Sequence, residues 1–311
     1  MNLVRTAMLV SVVATVAVLC ASVFIFPPDT TRRGPAIDAD RHQDNSSPAP
    51  YSELFAIDPG NRSYRDVSNR KKVDCRAIKE GPRVAVIFIF GQSNAGNYGD
   101  KNALYAPARG VYNFDFFDGA CYEARDPLLG TDTDQSNVAT RLGDLLVQRK
   151  LFDRVIIIPI AYGGSAVAHW APGGILSPRL NEALRQVRTS GLAVTLAIWQ
   201  QGETDAHPPS PDPVGYKRDF RAMVGMLRRN GMDAPIAVAQ STVCQSKPIE
   251  TIRQAQRELV DSNSGILAGA DTDSIGMDGR FDGCHFSEAG LNRAAELWFE
   301  VISHWKSNSL R

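Results

Sequence analysis

Five stretches of this chain lack the alternation of a half-wetted strand: RVAVIFIF (83–90), RVIIIPIA (154–161), AVTLAIWQ (193–200), PIAVAQS (235–241) and the shorter GILAGA (265–270). A strand with one face in water alternates polar and apolar side chains. A nearly unbroken apolar run instead marks a strand covered on both faces, as in a parallel sheet. The segments between these runs have helical period. SNVATRLGDLLVQRK (136–150) brings Val138, Leu142, Leu145 and Leu146 to one face, with Ser136 as its cap. PRLNEALRQVRTSG stops at Gly191, and GYKRDFRAMVGMLRRNG carries the stripe Tyr216, Phe220, Met223, Leu227 before Gly231. PIETIRQAQRELVDS (248–262) follows, and a last helix from about Ser287 aligns Leu291, Ala294, Trp298, Val301 and Trp305. Five strand–helix units predict an α/β domain: a five-stranded parallel sheet in a three-layer α/β/α arrangement.

The chain before this domain divides by composition. Residues 1–6 form a short tail. Residues 7–26, AMLVSVVATVAVLCASVFIF, contain no charge and have the length of a bilayer-spanning helix of about 20 residues. The small-residue cleavage site of a secretory signal is poorly formed around Leu19-Cys20-Ala21, so an uncleaved signal anchor is expected. Residues 27–50, rich in Pro, Asp, Arg and Ser, read as a disordered linker, and residues 51–311 as the globular domain. The expected placement is a membrane-anchored protein with its domain outside the cytoplasm, the alternative being secretion after cleavage. A net charge of zero gives no electrostatic footprint for nucleic acid.

In an open parallel sheet the functional crevice lies beyond the carboxyl ends of the strands. Each loop at that rim carries unusual residues. Gly91-Gln92-Ser93-Asn94 follows the first run, AYGGSAVAHW the second, and QQGETDAH follows Trp199 of the third. STVCQS follows the fourth, and DTDSIGMDGRFDGCHF, with Asp282 and His285, the fifth. A serine, a carboxylate and a histidine thus converge on one rim, and the chemistry that fits is acyl transfer. A serine hydroxyl needs an adjacent base, a histidine can act as base and then acid, and a carboxylate orients the imidazole. Asp282 and His285, three residues apart, allow the carboxylate to reach one ring nitrogen while the other faces Ser93. The oxyanion requires preorganised donors. The backbone N–H groups of Ser93 and Gly164 and the side-chain amide of Gln201 are suited to that role. This is not the Gly-x-Ser-x-Gly elbow, because Ala95 stands where its second glycine would be.

Each residue also has a plainer reading. Ser93 alone would be a turn cap, and Gly163 and Gly164 ordinary turn residues. Glu203 and Asp205 would be loop charges, with solvation the better reading for Asp205. His169 and His207 fit the surface as well as a pocket. Trp170 fits a sugar-stacking platform and a core position equally. Asp282 and His285 find no second histidine at metal-ligand spacing, so no metal is expected, and the chemistry calls for no cofactor.

Taken in order, the motifs resemble those of the SGNH hydrolases, in the branch of sialate O-acetylesterases and carbohydrate esterase family six acetylxylan esterases. GQSNAG looks like the first block, GGSAVAHW the second, WQQGETDA the third and DGCHFSEAG the last, together covering about residues 84–305. The resemblance implies a flavodoxin-like sheet and removal of O-acetyl groups from carbohydrate. By position it implies Ser93 as nucleophile, His285 as base, Asp282 as its acid, and Ser93, Gly164 and Gln201 as the oxyanion hole. Glu203 matches a residue also assigned as the histidine's partner in this branch, with Asp282 preferred. Gln92, Asn94 and Trp170 are the substrate-binding candidates. Two positions depart from the pattern: Ala95 replaces the usual Met, and Gln200 the usual His. An O-acetyltransferase acting on a polysaccharide would use the same residues. A non-catalytic, membrane-tethered carbohydrate-binding module is the reading from another class, and it has no need of a nucleophile with its base.

Beyond Cys20, in the apolar segment, the cysteines are Cys75, Cys121, Cys244 and Cys284. An even set beyond an export signal suggests two disulfides, for which three pairings exist, against the alternative of buried free thiols. The expected pairing is Cys75–Cys121 and Cys244–Cys284, since the latter two lie on neighbouring crevice loops and their bridge would brace the loop of His285.

Overall fold

The computed structural model describes residues 66–207 and 211–309. The expected tail, anchor and linker (1–50) and the start of the domain up to residue 65 lie outside the described residues. Among the described residues no helix is long and apolar enough to cross a membrane.

The strands are β1 (Lys72–Val73), β2 (Val84–Gly91), β3 (Val111–Asp115), β4 (Ala120–Glu123), β5 (Arg154–Ala161), β6 (Leu196–Gln200), β7 (Ile236–Gln240) and β8 (Ile266–Asp271). They form one sheet in the order β1-β4-β3-β5-β2-β6-β7-β8. The helices are α1 (Cys75–Lys79), α2 (Val138–Gln148), α3 (Val167–Trp170), α4 (Ser177–Thr189), α5 (Glu203–Ala206), α6 (Pro213–Arg229), α7 (Glu250–Glu258) and α8 (Glu288–Ser309).

The sheet corrects the expected five parallel strands: among the described residues it has eight, and it is mixed. The five expected strands are parallel and contiguous in the order β5-β2-β6-β7-β8, the doubly wound pattern in which the chain reverses direction beside its first strand. Beyond β5, β3 adds a further parallel strand, and β4 and β1 continue antiparallel. These outer strands carry Asn113 and Asp115 among apolar neighbours and read as neither run nor alternation. Asn113 is held inside because its side chain accepts from Leu129 N–H (2.6 Å) and donates to the Leu129 carbonyl (3.1 Å). A disulfide from Cys75 to Cys121 fastens α1 to β4.

Within β2 the two faces go to different cores. Val86, Phe88 and Phe90 join Ile156, Ile158 and Ile160 of β5 beneath α4, α6 and α7, through Leu180, Leu184, Phe220, Met223 and Ile252. Ala85, Ile87 and Ile89 join Val155 and Ile157 beneath α2 and α8, through Leu142, Leu146, Leu291, Trp298 and Ile302. Period-two alternation thus feeds both layers, which is why the run is apolar throughout. The helix stripes are close to expectation. In α8, Ile302 is fully buried, whereas Val301 and Trp305 sit half-buried at the edge. The cap of α2 is Asn137, accepting from Ala139 N–H at 2.8 Å, and not Ser136, whose hydroxyl donates to the Asp100 carbonyl.

Candidate active site

β2 ends at the switch point between β5 and β6, and Ser93 opens a 3-10 turn, Ser93–Ala95, directly beyond it. The turn can start there only because residue 91 is glycine. Gly91 has φ of 137°, and a Cβ on it would lie 2.2 Å from the Gln200 carbonyl of β6. The Gln92 N–H donates to that same carbonyl at 3.2 Å, stitching the turn to β6. Ser93 is 4% exposed. Among the described residues its hydroxyl makes no hydrogen bond, and neither do the backbone N–H groups of Ser93 and Gly164. Gly164 has φ of +65°, and a Cβ there would meet nothing within 4 Å. Two backbone donors without a partner, one of them on the serine itself, are the kind of group that an oxyanion needs.

Asp282 and His285 form the other half of the site. His285 Nδ1 lies 2.7 Å from Asp282 Oδ2, and Asp282 Oδ1 accepts from the N–H groups of Cys284 (2.9 Å) and His285 (2.7 Å). Burial pulls the Asp282 carboxyl upward, but hydrogen bonds from the His285 ring and backbone, the His285 charge and the Cys284 N–H outweigh it and hold it at about 2. An ionised carboxylate at Nδ1 accepts a hydrogen bond from the Nδ1–H, which keeps the proton on that nitrogen and leaves Nε2 as the basic one. Ser93 and His285 are not hydrogen-bonded to one another here. Their elements are joined through Asn94, whose Nδ2 donates to Glu203 Oε1 (2.7 Å) and to the Cys284 carbonyl (3.3 Å). A disulfide from Cys244 to Cys284, the Gln245 N–H to the Gly283 carbonyl (2.7 Å) and the Arg280 guanidinium on the Cys284 carbonyl hold the histidine's loop.

Several expected roles change. The side-chain amide of Gln201 does not point to an oxyanion: Nε2 donates to Ser165 O (3.0 Å), Gln92 Oε1 (3.2 Å) and the Asp205 carboxylate, which exceed its two hydrogens. Glu203 does not partner the histidine; its Oε1 accepts from Asn94 and from the Ser241 hydroxyl (2.8 Å). Gln92 accepts from Gln201 and from Gly202 and Thr204 N–H, and Asn94 spends its amide on Glu203 and Cys284, so both build the site instead of facing substrate. Trp170 is fully buried, donates to the Ser165 hydroxyl (2.9 Å) and packs on Phe90 and Trp199, so it is core. Asp205 is not solvated: it accepts from Val167 N–H (3.0 Å) and Gln201, and burial raises its pKa. Gln200 bridges the Trp298 indole (2.9 Å) and the Asn94 carbonyl (3.1 Å), tying the serine turn to α8.

Three residues of the site carry no motif signal. Phe281 is 49% exposed, with its ring 6.2 Å from that of His285. Tyr98 stacks on the other aromatic neighbour of the site, the His285 ring itself, with centroids 5.3 Å apart and planes at 26°. The Tyr98 hydroxyl donates to Asp132, which lies in a loop without helical or strand period. Among the described residues no group of His, Cys, Asp or Glu is arranged to hold a metal ion.

Residues 83–302 match the family described as carbohydrate esterase, sialic acid-specific acetylesterase. Among solved structures, a protein from Arabidopsis thaliana superposes with a TM-score of 0.57 at 21% identity, over 73% of this chain and 99% of that one. NanS superposes at 0.53 and 16% identity, over 72% and 98%. A carbohydrate acetylesterase from Xanthomonas citri superposes at 0.52 and 15% identity, over 71% of this chain and 56% of that one. At these identities the likeness is one of fold. No curated protein matches the chain.

Proposed function

This chain belongs to the carbohydrate esterase, sialic acid-specific acetylesterase family, and from that premise we propose that it removes O-acetyl groups from carbohydrate by a Ser93–His285–Asp282 mechanism. Membership makes it a carboxylic ester hydrolase. His285 Nε2 takes the proton of the Ser93 hydroxyl as Oγ attacks the acetyl carbonyl. The N–H groups of Ser93 and Gly164 receive the negative charge of the tetrahedral oxygen. As the C–O bond to the sugar breaks, His285 returns the proton to the departing sugar hydroxyl. Water then attacks the acetyl-Ser93 ester with His285 again as base, releasing acetate. Asp282, ionised in the neutral range, holds the imidazole tautomer and stabilises its charged form.

The observation that carries this reading is the pair made by His285 and Asp282 at 2.7 Å, joined through Asn94 to a turn whose serine hydroxyl and N–H are unbonded. The apolar segment 7–26 and the two disulfides support placement as a membrane-anchored domain outside the cytoplasm. Extraction of membranes at alkaline pH with the chain retained in the pellet would agree with the anchor; N-terminal sequencing that begins past residue 26 would replace it with secretion.

The deciding experiment compares the full chain with its Ser93→Ala variant on acetylated sugars, with and without a polysaccharide acceptor. Loss of acetate release by about 10⁴-fold or more in the variant is expected. Acetyl groups appearing on the acceptor in preference to water would identify a transferase. Equal, negligible turnover by two well-folded proteins would favour a binding module.

A further inference from the structure

The His285 ring has a support that the three proposed reacting residues do not include. One face of the imidazole lies against the Tyr98 ring, with centroids 5.3 Å apart and planes inclined by 26°. The Tyr98 hydroxyl is not free to turn, because it donates to the buried Asp132 carboxylate. The same carboxylate oxygen accepts from the Gly163 N–H at 2.9 Å, immediately before the Gly164 peptide of the oxyanion site. Residue 163 must be glycine for this fit, since a Cβ there would lie 2.0 Å from the Tyr98 hydroxyl. One buried carboxylate therefore fixes both the ring behind the base and the loop that presents the oxyanion donor.

We infer that Tyr98 and Asp132 form a positioning couple that stabilises the His285 imidazolium through its ring face and locks the oxyanion loop in register with it. The physical basis is the negative face of an aromatic ring, which attracts a cation stacked on it and has less effect on a neutral ring. Asp282 acts in the imidazole plane at Nδ1, and Tyr98 acts perpendicular to it. The inference rests on reading His285 as the base of the proposed reaction. Charged groups about this loop, besides Asp282 itself, include Arg280, on the Cys284 carbonyl and within reach of Asp273, and Glu203, held behind Asn94. Phe281, from the histidine's own loop, is uncharged. None of these is altered by substitution at Tyr98.

The test follows the protonation of His285 itself, by NMR of the full chain labelled at the histidine ring carbons. The signal missing from a His285→Gln chain identifies the resonance. Tyr98→Leu removes the ring face, and the His285 midpoint is expected to fall by about half a pH unit. Tyr98→Phe keeps the face and is expected to shift it less. An unchanged midpoint in a folded Tyr98→Leu chain, or a Tyr98→Phe shift as large as that of Tyr98→Leu, would overturn the inference. If Tyr98→Leu does not fold, Tyr98→Met is read in its place, since it too removes the aromatic face and leaves the Asp132 side chain unchanged: a lowered midpoint supports the couple and an unchanged one refutes it. The titration needs no substrate. A chain that released no acetate yet showed the shift would overturn the esterase mechanism while leaving the electrostatic coupling standing. Normal, Ser93-dependent turnover without a shift would do the reverse.

Discussion

Ser93 leaves a strand with seven consecutive buried residues, paired on both sides within the sheet, whereas His285 stands on a loop with its side chain 22% exposed and its partner Asp282 38% exposed. The first is placed by packing: two cores and two neighbouring strands fix the end of β2. The second is anchored by Phe286, buried in the core next to it, and its side chain is placed by discrete bonds, namely the Cys244–Cys284 disulfide, the Asn94 bridge, the Arg280 guanidinium and the Asp282 clasp. The difference teaches that the supports of the two ends should fail in different ways. Damage to the packing of β2 that carries Ser93 should appear first in stability, and damage to the bonds that hold His285 first in rate.

The largest effect expected on the loop side is that of Asp282→Asn. It leaves the fold intact but removes the charge that sets the imidazole tautomer, so kcat should fall by about 10³- to 10⁴-fold with KM little changed. Steady-state kinetics on an acetylated sugar reads this, and a change confined to KM would move Asp282 out of the proposed machinery. Asn94→Ala comes next, since it cuts the joint between the two regions and strips Glu203 of a buried donor. About a 10²-fold loss of kcat together with a stability loss of about 1–3 kcal/mol is expected. Denaturant unfolding beside kinetics checks whether both move.

The disulfides sharpen the contrast. Cys244→Ser with Cys284→Ser should lower kcat about tenfold and also cost about 2–4 kcal/mol, because the bridge spans 40 residues of sequence. Cys75→Ser with Cys121→Ser, at the sheet edge and spanning 46, should cost about as much stability with kcat preserved. A kcat loss confined to the sheet-edge pair would break the comparison outright. The smallest effect is that of acid. The folded pKa of Asp282 lies below its unfolded value, so its contribution is complete above about pH 4 and is lost as pH falls toward 2. For so exposed a carboxylate, screening reduces this to about 1 kcal/mol. Asp282→Asn should flatten that part of the stability–pH curve.

What could be read from the sequence follows the same division. β2, β5 and β6 announce themselves because burial on both faces leaves an apolar run, and α6 because its stripe is buried throughout. The β3–β4 hairpin does not, because Asn113 is held inside by hydrogen bonds to Leu129, sixteen positions away in sequence, and no local pattern encodes that. Ser93, Asp282 and His285 stand out by residue type at strand ends. Gln201, Asn94 and Gln92 were expected to face the reaction because amides can donate. A residue type fixes which bonds a side chain is able to make and leaves its partner open: Gln201 is claimed by Ser165, Gln92 and Asp205 before any substrate arrives. Tyr98 carries no such signal, because its place depends on contacts with three distant loops at once.

The placement of β2 between two cores also orders the way this protein comes apart. Its amides should exchange with solvent only when both layers open, which is the whole molecule unfolding, while the segment of Asp282 and His285, half-exposed between the Cys284 bridge and the buried Phe286, should open at lower free energy. On warming, the nucleophile therefore outlasts its base. Heat inactivation should precede melting and reverse on cooling, with the molecules caught between the two still folded around a silent serine.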